Sequence, residues 1–205
     1  MGATGRVSRR SRLVVAVGAV VVVVVGVVVW RVATAPDLSP VPQVAQGPYL
    51  CGGVPQEGAE LILGGTVEAT RDEGEWGSDD DSFRCTIERG EGAIDVLEEP
   101  ISSGPISDPQ MFLEHYRSST AAEEFSADAQ GYGFASVDGP AVADWLCGDR
   151  YLRVVISRGV HGRDTKADAI AYLSSMLPWG CGDTDPPEAD PQPRASGTAE
   201  GLVDT

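Results

Sequence analysis

The chain contains two histidines, the residue type that most often serves as a general acid or base near neutral pH. His161 lies in the loop SRGVHGRD, close to Ser157 and Asp164, and these three residue types could form a hydrolase triad. The sequence has no GxSxG nucleophile elbow, and a triad depends on geometry that spacing does not define. His115 falls on the inner side of a predicted helix, where we expect a packed, hydrogen-bonded imidazole. The sequence therefore assigns no catalytic residue, and catalysis at His161 is kept as an alternative.

A cluster of basic residues is the second candidate for chemistry. Within 17 residues the chain places Arg150, Arg153, Arg158, Arg163 and Lys166. These cations could bind an acidic ligand or partner. Alternatively, they cover a sheet face and pair with the excess of acidic side chains. Neither a phosphate-cradling glycine loop nor a dinucleotide fingerprint occurs in the sequence, so we expect no cofactor.

An acidic loop is the third candidate, because hard cations such as Ca²⁺ bind several carboxylates. Its acidic residues are Asp72, Glu73, Glu75, Asp79, Asp80 and Asp81. The loop lacks the EF-hand spacing and its glycine, so we expect a solvated loop and no metal. Trp76 lies in the middle of this loop, and we expect it to fold back over the sheet.

An uncharged run from Leu13 to Trp30 indicates the cellular compartment of these side chains. Its 18 residues would form a helix of about 27 Å, close to the hydrocarbon thickness of a bilayer. Four arginines precede the run and one follows it, so the positive-inside rule places residues 1–12 in the cytoplasm. A cleaved signal is the alternative, with its site at residues 33–35, but Pro36 is a poor residue after a cut. We therefore predict a retained anchor over 13–30 and an extracytoplasmic chain beyond it.

The charge of the extracytoplasmic part restricts its partners. Beyond residue 31 the chain holds ten basic and 31 acidic side chains, a net charge of −21. Nucleic-acid binding requires clustered cations that neutralise phosphates, so we exclude nucleic acid. The same charge disfavours contact with an anionic membrane surface. The expected partners are the membrane, through the anchor alone, and an unknown envelope protein or ligand.

Four cysteines, all beyond the anchor, indicate disulfides. An even number of cysteines in an exported domain is typical of disulfide bonding. A metal site is less expected, because the sequence contains no CxxC pair. We favour Cys51–Cys85 and Cys147–Cys181, because each pair is 34 residues apart and each bridge would clamp a helix to the sheet. The pairing of Cys51 with Cys181 and of Cys85 with Cys147 stays open.

The extracytoplasmic part divides into three segments. Residues 31–47 are proline-containing and read as an extended stalk, and residues 182–205 read as a disordered, acidic, proline-rich tail. The 134 residues between them, 48–181, have the size of one domain.

Turn signals and hydrophobic patterns predict an α+β domain with the order αβββαβββα. The predicted helices begin at Pro55, Pro109 and Thr165, and Pro178 ends the last one. The predicted strands are 66–70, 82–88, 93–98, 132–137, 142–147 and 151–157. Short connections require antiparallel pairing, so we expect an antiparallel sheet flanked by helices, preceded by one transmembrane helix.

The stretches YLCGGVPQEGAELILGG and FRCTIERGEGAIDV resemble small actinobacterial cell-envelope domains of unknown function. In those domains a cysteine precedes a short helix, a second cysteine follows on a strand, and a long helix closes the chain. The resemblance covers about residues 48–181 and implies an extracytoplasmic location and an α+β fold. It implies no catalytic residues. The chain departs from these lipoprotein-like domains, because no lipobox precedes Cys51.

Together these observations predict a membrane-tethered, extracytoplasmic binding or interaction module without enzymatic activity. A cell-envelope hydrolase that uses His161 with a nearby serine or aspartate is the alternative.

Overall fold

A computed structural model describes residues 38–188, except positions 75, 78–81, 104–107, 137 and 183. The predicted N-terminus (1–12) and anchor (13–30), the first part of the stalk and the tail from residue 189 lie outside these residues. Within the described ranges no helix is long and apolar enough to cross a membrane.

The domain combines helices with runs of strands, in the α+β class that the sequence predicts. Its elements are β1 (Tyr49–Leu50), β2 (Val54–Pro55), α1 (Gln56–Leu63), β3 (Glu68–Glu73), β4 (Phe83–Arg89), β5 (Gly92–Pro100), a 3-10 turn (Ile101–Ser103), α2 (Pro109–Ser118), β6 (Glu123–Phe125), β7 (Tyr132–Ser136), β8 (Ala141–Cys147), β9 (Arg150–Ile156) and α3 (Thr165–Gly180). The predicted order omits β1, β2 and β6, because strands of two or three residues leave no alternation to detect.

The strands form one large antiparallel sheet, which confirms the predicted pairing. The strand order is β3-β4-β5-β9-β8-β7-β6, and β1 pairs with β2 in a separate small sheet. The large sheet therefore consists of two runs of neighbouring strands that meet where β5 pairs with β9. That central pairing extends from Ile94 opposite Ile156 to Pro100 opposite Arg150.

Two tight turns set the register of the sheet. Gly90 begins the turn between β4 and β5, and Gly148 begins the turn between β8 and β9. Both have positive φ, 61° and 65°, a conformation that favours glycine at the first position of a two-residue hairpin loop. The second turn places Asp144 of β8 directly opposite Arg153 of β9.

Side-chain caps and a glycine delimit the helices. The carboxylates of Asp108 and Asp164 accept hydrogen bonds from the backbone N–H groups of Gln110 (2.8 Å) and Ala167 (3.1 Å). Gly64, with φ of 81°, ends α1 in the left-handed conformation.

The predicted end of α3 at Pro178 is wrong, because the helix continues to Gly180. The last turn is held by a hydrogen bond from the Cys181 N–H to the Leu177 carbonyl (3.0 Å) and by burial of Gly180. Asp168, in the first turn of α3, binds an arginine with its side chain. Its two carboxylate oxygens accept hydrogen bonds from the Arg163 guanidinium, both at 2.7 Å.

The sheet buries its two faces against different partners. The first face carries Ile94, Val96 and Leu152 and packs against α1 and α3 in the larger core. The second face carries Tyr151 and Leu146 and packs against α2 in a smaller cluster.

Close packing on the first face requires a glycine. A Cβ atom at Gly58 of α1 would lie 2.7 Å from the ring of the fully buried Tyr172 in α3, well inside van der Waals contact. Only glycine therefore allows α1 to lie this close to α3.

Candidate binding site at the disulfide end

Two disulfides join helices to the sheet, in the pairing that the sequence analysis favours. Cys51, in the β1–β2 turn, pairs with Cys85 of β4 at a Cα–Cα distance of 6.1 Å. Cys147, at the end of β8, pairs with Cys181 after α3 at 5.7 Å. Both distances lie within the range that disulfides adopt in proteins. The first bridge fixes the segment that leads into α1, and the second fixes the end of α3.

Near the second bridge the sheet buries a charged pair. Glu98 of β5 points to the first face, as Ile94 and Val96 do, and its side chain is fully buried. Arg150 Nε donates a hydrogen bond to one carboxylate oxygen, and the Gly77 N–H donates to the other at 3.1 Å. The Arg150 side chain is only 15 % exposed. We call the region around Gly53, Trp76, Glu98, Arg150, Trp179 and the two bridges the disulfide end.

A cavity of about 340 Å³ opens at the disulfide end. Its lining includes Glu98, Arg150, Trp179 and the Cys147–Cys181 bridge, and glycines at 77, 148, 180 and 182 complete much of the wall. The volume lies at the lower end of the range for small-molecule sites.

Two neighbouring depressions share part of this wall or adjoin it. One of about 310 Å³ shares Gln130 and Gly148 with the cavity. The other, of about 500 Å³, is lined by Phe125, Tyr132 and Trp145. We place the candidate site in the cavity beside the bridge, although it is not the largest, because it combines an aromatic side chain with a buried charged pair.

Two tryptophans meet at Gly53 on the same end of the domain. Trp76 stacks on Phe83 with ring centroids 4.1 Å apart, folded back over the sheet as the sequence predicts. Trp179 meets Tyr49 edge to face at 6.0 Å. Each indole nitrogen is buried, and neither has a hydrogen-bond partner in the part of the chain that the structure describes.

Both indole nitrogens point to the space above the Gly53 backbone. A Cβ atom at Gly53 would lie 3.0 Å from Nε1 of Trp179 and 3.1 Å from Nε1 of Trp76. The same position is 3.4 Å from Cβ of Pro186, which belongs to the predicted tail. Pro186 of the predicted tail therefore lies beside Gly53 at the disulfide end.

The five residues of the predicted anion site are all engaged in ion pairs. Each pairs with an acid: Arg150 with Glu98, Arg153 with Asp144, Arg158 with Glu91, Arg163 with Asp168 and Lys166 with Glu123. Arg150 and Arg153 are three positions apart on β9 and so face opposite sides of the sheet. Their contacts match the alternative of pairing with the excess acids, and an anion-binding role stays a prediction.

The second face contains a charged network that the sequence analysis missed. Buried Asp144 accepts hydrogen bonds from Arg153 Nε (2.6 Å) and from the Tyr116 hydroxyl (2.7 Å), and Arg153 Nη2 donates to that hydroxyl (2.7 Å). Counting back from the Gly148 turn would have placed Asp144 opposite Arg153, and this was the available signal.

Electrostatics keep the phenols of the second face protonated. Burial, followed by the negative charge of Asp144, raises the pKa of Tyr116 well above its usual range. Burial and a hydrogen bond to Glu99 raise the pKa of Tyr151 in the same direction. The Arg153 guanidinium lies 5.4 Å from the centre of the Tyr151 ring. Both phenols therefore act as neutral donors within a cluster that holds Arg153 in place.

The three residues that could form a hydrolase triad, Ser157, His161 and Asp164, are not joined by hydrogen bonds in the structure. His161 is exposed, and the Asp164 carboxylate caps α3. Between positions 157 and 164 of the described chain, no hydrogen bond joins His161 to Ser157 or to Asp164. The predicted burial of His115 is wrong, because this side chain is exposed on α2 while Leu113 carries the contact with the sheet.

Among the described residues, no three acidic, histidine or cysteine side chains are placed to share a metal ion. Positions 75 and 78–81 of the acidic loop, for which the sequence predicts a solvated loop, lie outside those residues.

Comparison with protein families, with curated proteins and with solved structures finds no match to this chain.

Proposed function

We propose that this protein is a membrane-tethered, extracytoplasmic binding module whose ligand site is the cavity at the disulfide end. The observation that carries the proposal is the buried Glu98–Arg150 pair beside Trp179 in an open cavity. Burying two charges costs desolvation free energy that their attraction seldom exceeds, so a purely stabilising role is a weak explanation. A concave wall with an aromatic side chain and a few fixed polar groups is typical of ligand sites.

The tethered location is supported by the sequence. The apolar run 13–30 has the length of a membrane span, and its basic N-terminal flank favours an extracytoplasmic domain. The two disulfides fit an oxidising compartment, where such bridges persist. The resemblance to cell-envelope domains points to the same location.

A binding role is favoured over hydrolysis by the surroundings of His161. A general base must reach the proton that it removes, and a histidine in a triad is oriented by a hydrogen bond. His161 is exposed and the carboxylate of Asp164 is engaged at the α3 N-terminus.

Site-specific photo-cross-linking in intact cells tests the ligand site. A photoreactive amino acid replaces Gln130, which lines the cavity, and a matched control replaces Asp138, which is exposed in the turn at the other end of β7. We expect a cross-linked adduct at position 130 and none at position 138. Equal labelling at both positions, or none at either, would remove the cavity as the ligand site.

Protease added to intact cells tests the location. We expect full-length protein in the membrane fraction and digestion of the domain from outside. A mature protein that begins near Pro36 and is recovered from the medium would contradict a retained anchor.

A further inference from the structure

We propose that the disulfide end binds an extended, proline-rich segment of a partner polypeptide, and that the chain's own Pro186 and Pro187 occupy part of this site. The inference rests on the proposed function, because it names the ligand class of the disulfide end. It is carried by Trp76, Trp179 and the tail segment that lies against them.

The two indoles lack an acceptor. Trp76 Nε1 and Trp179 Nε1 are buried, and neither donates a hydrogen bond to any residue that the structure describes. A buried donor left unpaired costs about 1–3 kcal/mol, so such groups are rare in native proteins. Two of them that converge on one glycine favour a ligand that brings acceptors without bringing further donors.

A proline-rich chain has this chemistry. Proline has no backbone N–H, and a polyproline II helix makes no internal hydrogen bonds, so its carbonyl groups are available as acceptors. Its rings pack against aromatic side chains, and its conformational entropy is already low before binding. Trp76, Trp179 and Tyr49 supply an aromatic surface of this kind beside the two donors.

The chain already places prolines at this surface. A Cβ atom at Gly53 would lie 3.4 Å from Pro186 Cβ. The same position is 3.0 Å from Nε1 of Trp179 and 3.1 Å from Nε1 of Trp76. The Pro187 carbonyl oxygen is 3.9 Å from the corresponding position at Gly52. Thr184 holds the segment to α3 through a backbone hydrogen bond to the Pro178 carbonyl (3.3 Å). The segment lies beside the indoles at Gly53 and gives neither of them an acceptor, which is expected of a resident competitor and not of a complete ligand.

Glycine is required where this chain approaches. Gly53 has φ of 112°, and any side chain there would meet both indole nitrogens and Pro186. A backbone groove with no side chains lets a peptide carbonyl come close to the indoles.

The test follows the indole N–H resonances of the full-length protein in lipid nanodiscs. The probe is an octaproline peptide, and the control is a glycine–serine peptide of equal length. Both are uncharged in their repeating part, so the acidic charge of the protein does not bias the comparison. The chain has four tryptophans, at positions 30, 76, 145 and 179, and single Trp→Phe variants assign the resonances.

We expect saturable downfield shifts of the Trp76 and Trp179 resonances with octaproline alone. Trp145 is the internal reference, because its N–H already donates to the Gln130 carbonyl at 3.3 Å. Equal shifts with the glycine–serine peptide, or no shift at Trp76 and Trp179, would overturn the proline-rich ligand. That result would leave the binding module itself to be judged by cross-linking at Gln130, so the two failures are distinguishable.

A second, independent test measures the Kd for octaproline in variants that lack the prolines of the tail segment. The double change Pro186→Ser and Pro187→Ser should lower the Kd for octaproline about tenfold, because a tethered competitor acts at a high effective concentration. Pro140→Ser, at an exposed position in the opposite turn, should leave the Kd unchanged. An unchanged Kd in the double variant would overturn the resident role. The indole resonances of the protein alone could also shift as the protein concentration rises. If these shifts disappear in the double variant, the occupant of the site is the tail of a second copy of the chain, and the proposal of a separate partner is wrong.

Discussion

The two faces of the sheet are stabilised in different ways. The first face packs aliphatic and aromatic side chains against α1 and α3, and both disulfides lie on this side. The second face meets α2 through a small cluster of five buried apolar side chains, and it places the Asp144–Arg153–Tyr116 network next to them. The first face therefore combines apolar burial and covalent restraint with one buried ion pair, Glu98–Arg150, whereas the small second face depends on the polar network around Asp144.

This difference has an energetic meaning. Apolar burial is non-directional and requires no pairing of individual groups, although close contacts such as that of Gly58 with Tyr172 limit how far the helices can shift. A buried ion pair contributes little net stability, but removing one partner leaves an uncompensated charge in the protein. The second face is thus more sensitive to a single polar substitution than its small size suggests.

The largest expected effect is on the first face. Replacing Cys51 and Cys85 together with alanine should reduce the free energy of unfolding by roughly 3–4 kcal/mol, because each bridge closes a loop of 34 residues. The pair Cys147 and Cys181 closes a loop of the same length and should give a similar loss. Urea unfolding of each double variant measures both values. A loss below about 1 kcal/mol for either pair would mean that the bridge does not restrain the unfolded chain.

The next effect breaks the network of the second face. Asp144→Ala should cost about 2–4 kcal/mol, because it leaves the largely buried Arg153 unpaired. Adding Arg153→Met should restore much of this loss. The matched control is Glu91→Ala, which removes an exposed pair with Arg158 and should cost less than about 0.5 kcal/mol. Equal losses for Asp144→Ala and Glu91→Ala would show that the network does not determine stability on this face.

Alkaline pH should act on both faces through tyrosine. Burial raises the pKa of Tyr172 on the first face, as burial and Asp144 raise that of Tyr116 on the second. Above pH 10 the unfolded chain loses these protons while the folded protein keeps them. The folded state then binds more protons, so stability falls as pH rises, by up to about 1.4 kcal/mol per pH unit for each fully shielded tyrosine.

Phenylalanine variants separate the two contributions. Tyr172→Phe should remove the larger part of the alkaline slope, because Tyr172 is fully buried, whereas Tyr116 is partly exposed and solvent screens it. Unfolding free energies at about pH 9 and about pH 11 give the slopes. Identical slopes in the unaltered protein and in both variants would contradict the raised pKa values.

The smallest expected effect concerns the tail. A chain that ends at Glu188 keeps the segment that covers Gly53, so its melting temperature should match that of the full-length protein. A chain that ends at Cys181 loses this segment and exposes the indoles of the disulfide end. Thermal unfolding of the two truncated proteins compares them directly, and a large drop for the chain ending at Glu188 would place a stabilising contact beyond that residue.

Local patterns predicted most of the fold. Phe83, Cys85 and Ile87 alternate with polar residues and form β4 as predicted, and the turns at Gly90 and Gly148 fall between predicted strands. The order of strands within the large sheet could not be predicted from local patterns, because β5 pairs with β9, which lies far from it in the chain. The continuation of α3 through Pro178 depends on the bridge at Cys181 and on burial of Gly180, and both are tertiary effects.

The candidate site was less predictable than the fold. Its cysteines were identified and paired from their spacing, and Trp76 was expected over the sheet. Glu98 was not singled out, although it shares the inward parity of Ile94 and Val96. Basic residues close together in sequence suggested one site, but strand alternation turns Arg150 and Arg153 to opposite faces of the sheet and each has its own acidic partner. Composition alone could not indicate that the tail segment returns to Gly53.

The pairing of β5 with β9, which we call the seam between the two runs of strands, also has a consequence for the order of folding. The strands of each run follow one another in the chain, and each half of the domain contains one complete disulfide. Cys51–Cys85 joins the β1–β2 turn to β4 in the first half, and Cys147–Cys181 joins β8 to the end of α3 in the second. Neither bridge crosses the seam, so each half can oxidise correctly before the halves meet. Pairing across a long chain separation is slow to form, and pulse-labelled hydrogen exchange should therefore find the β5–β9 amides protected last. A chain synthesised from its N-terminus can thus complete one half while the other is still being made.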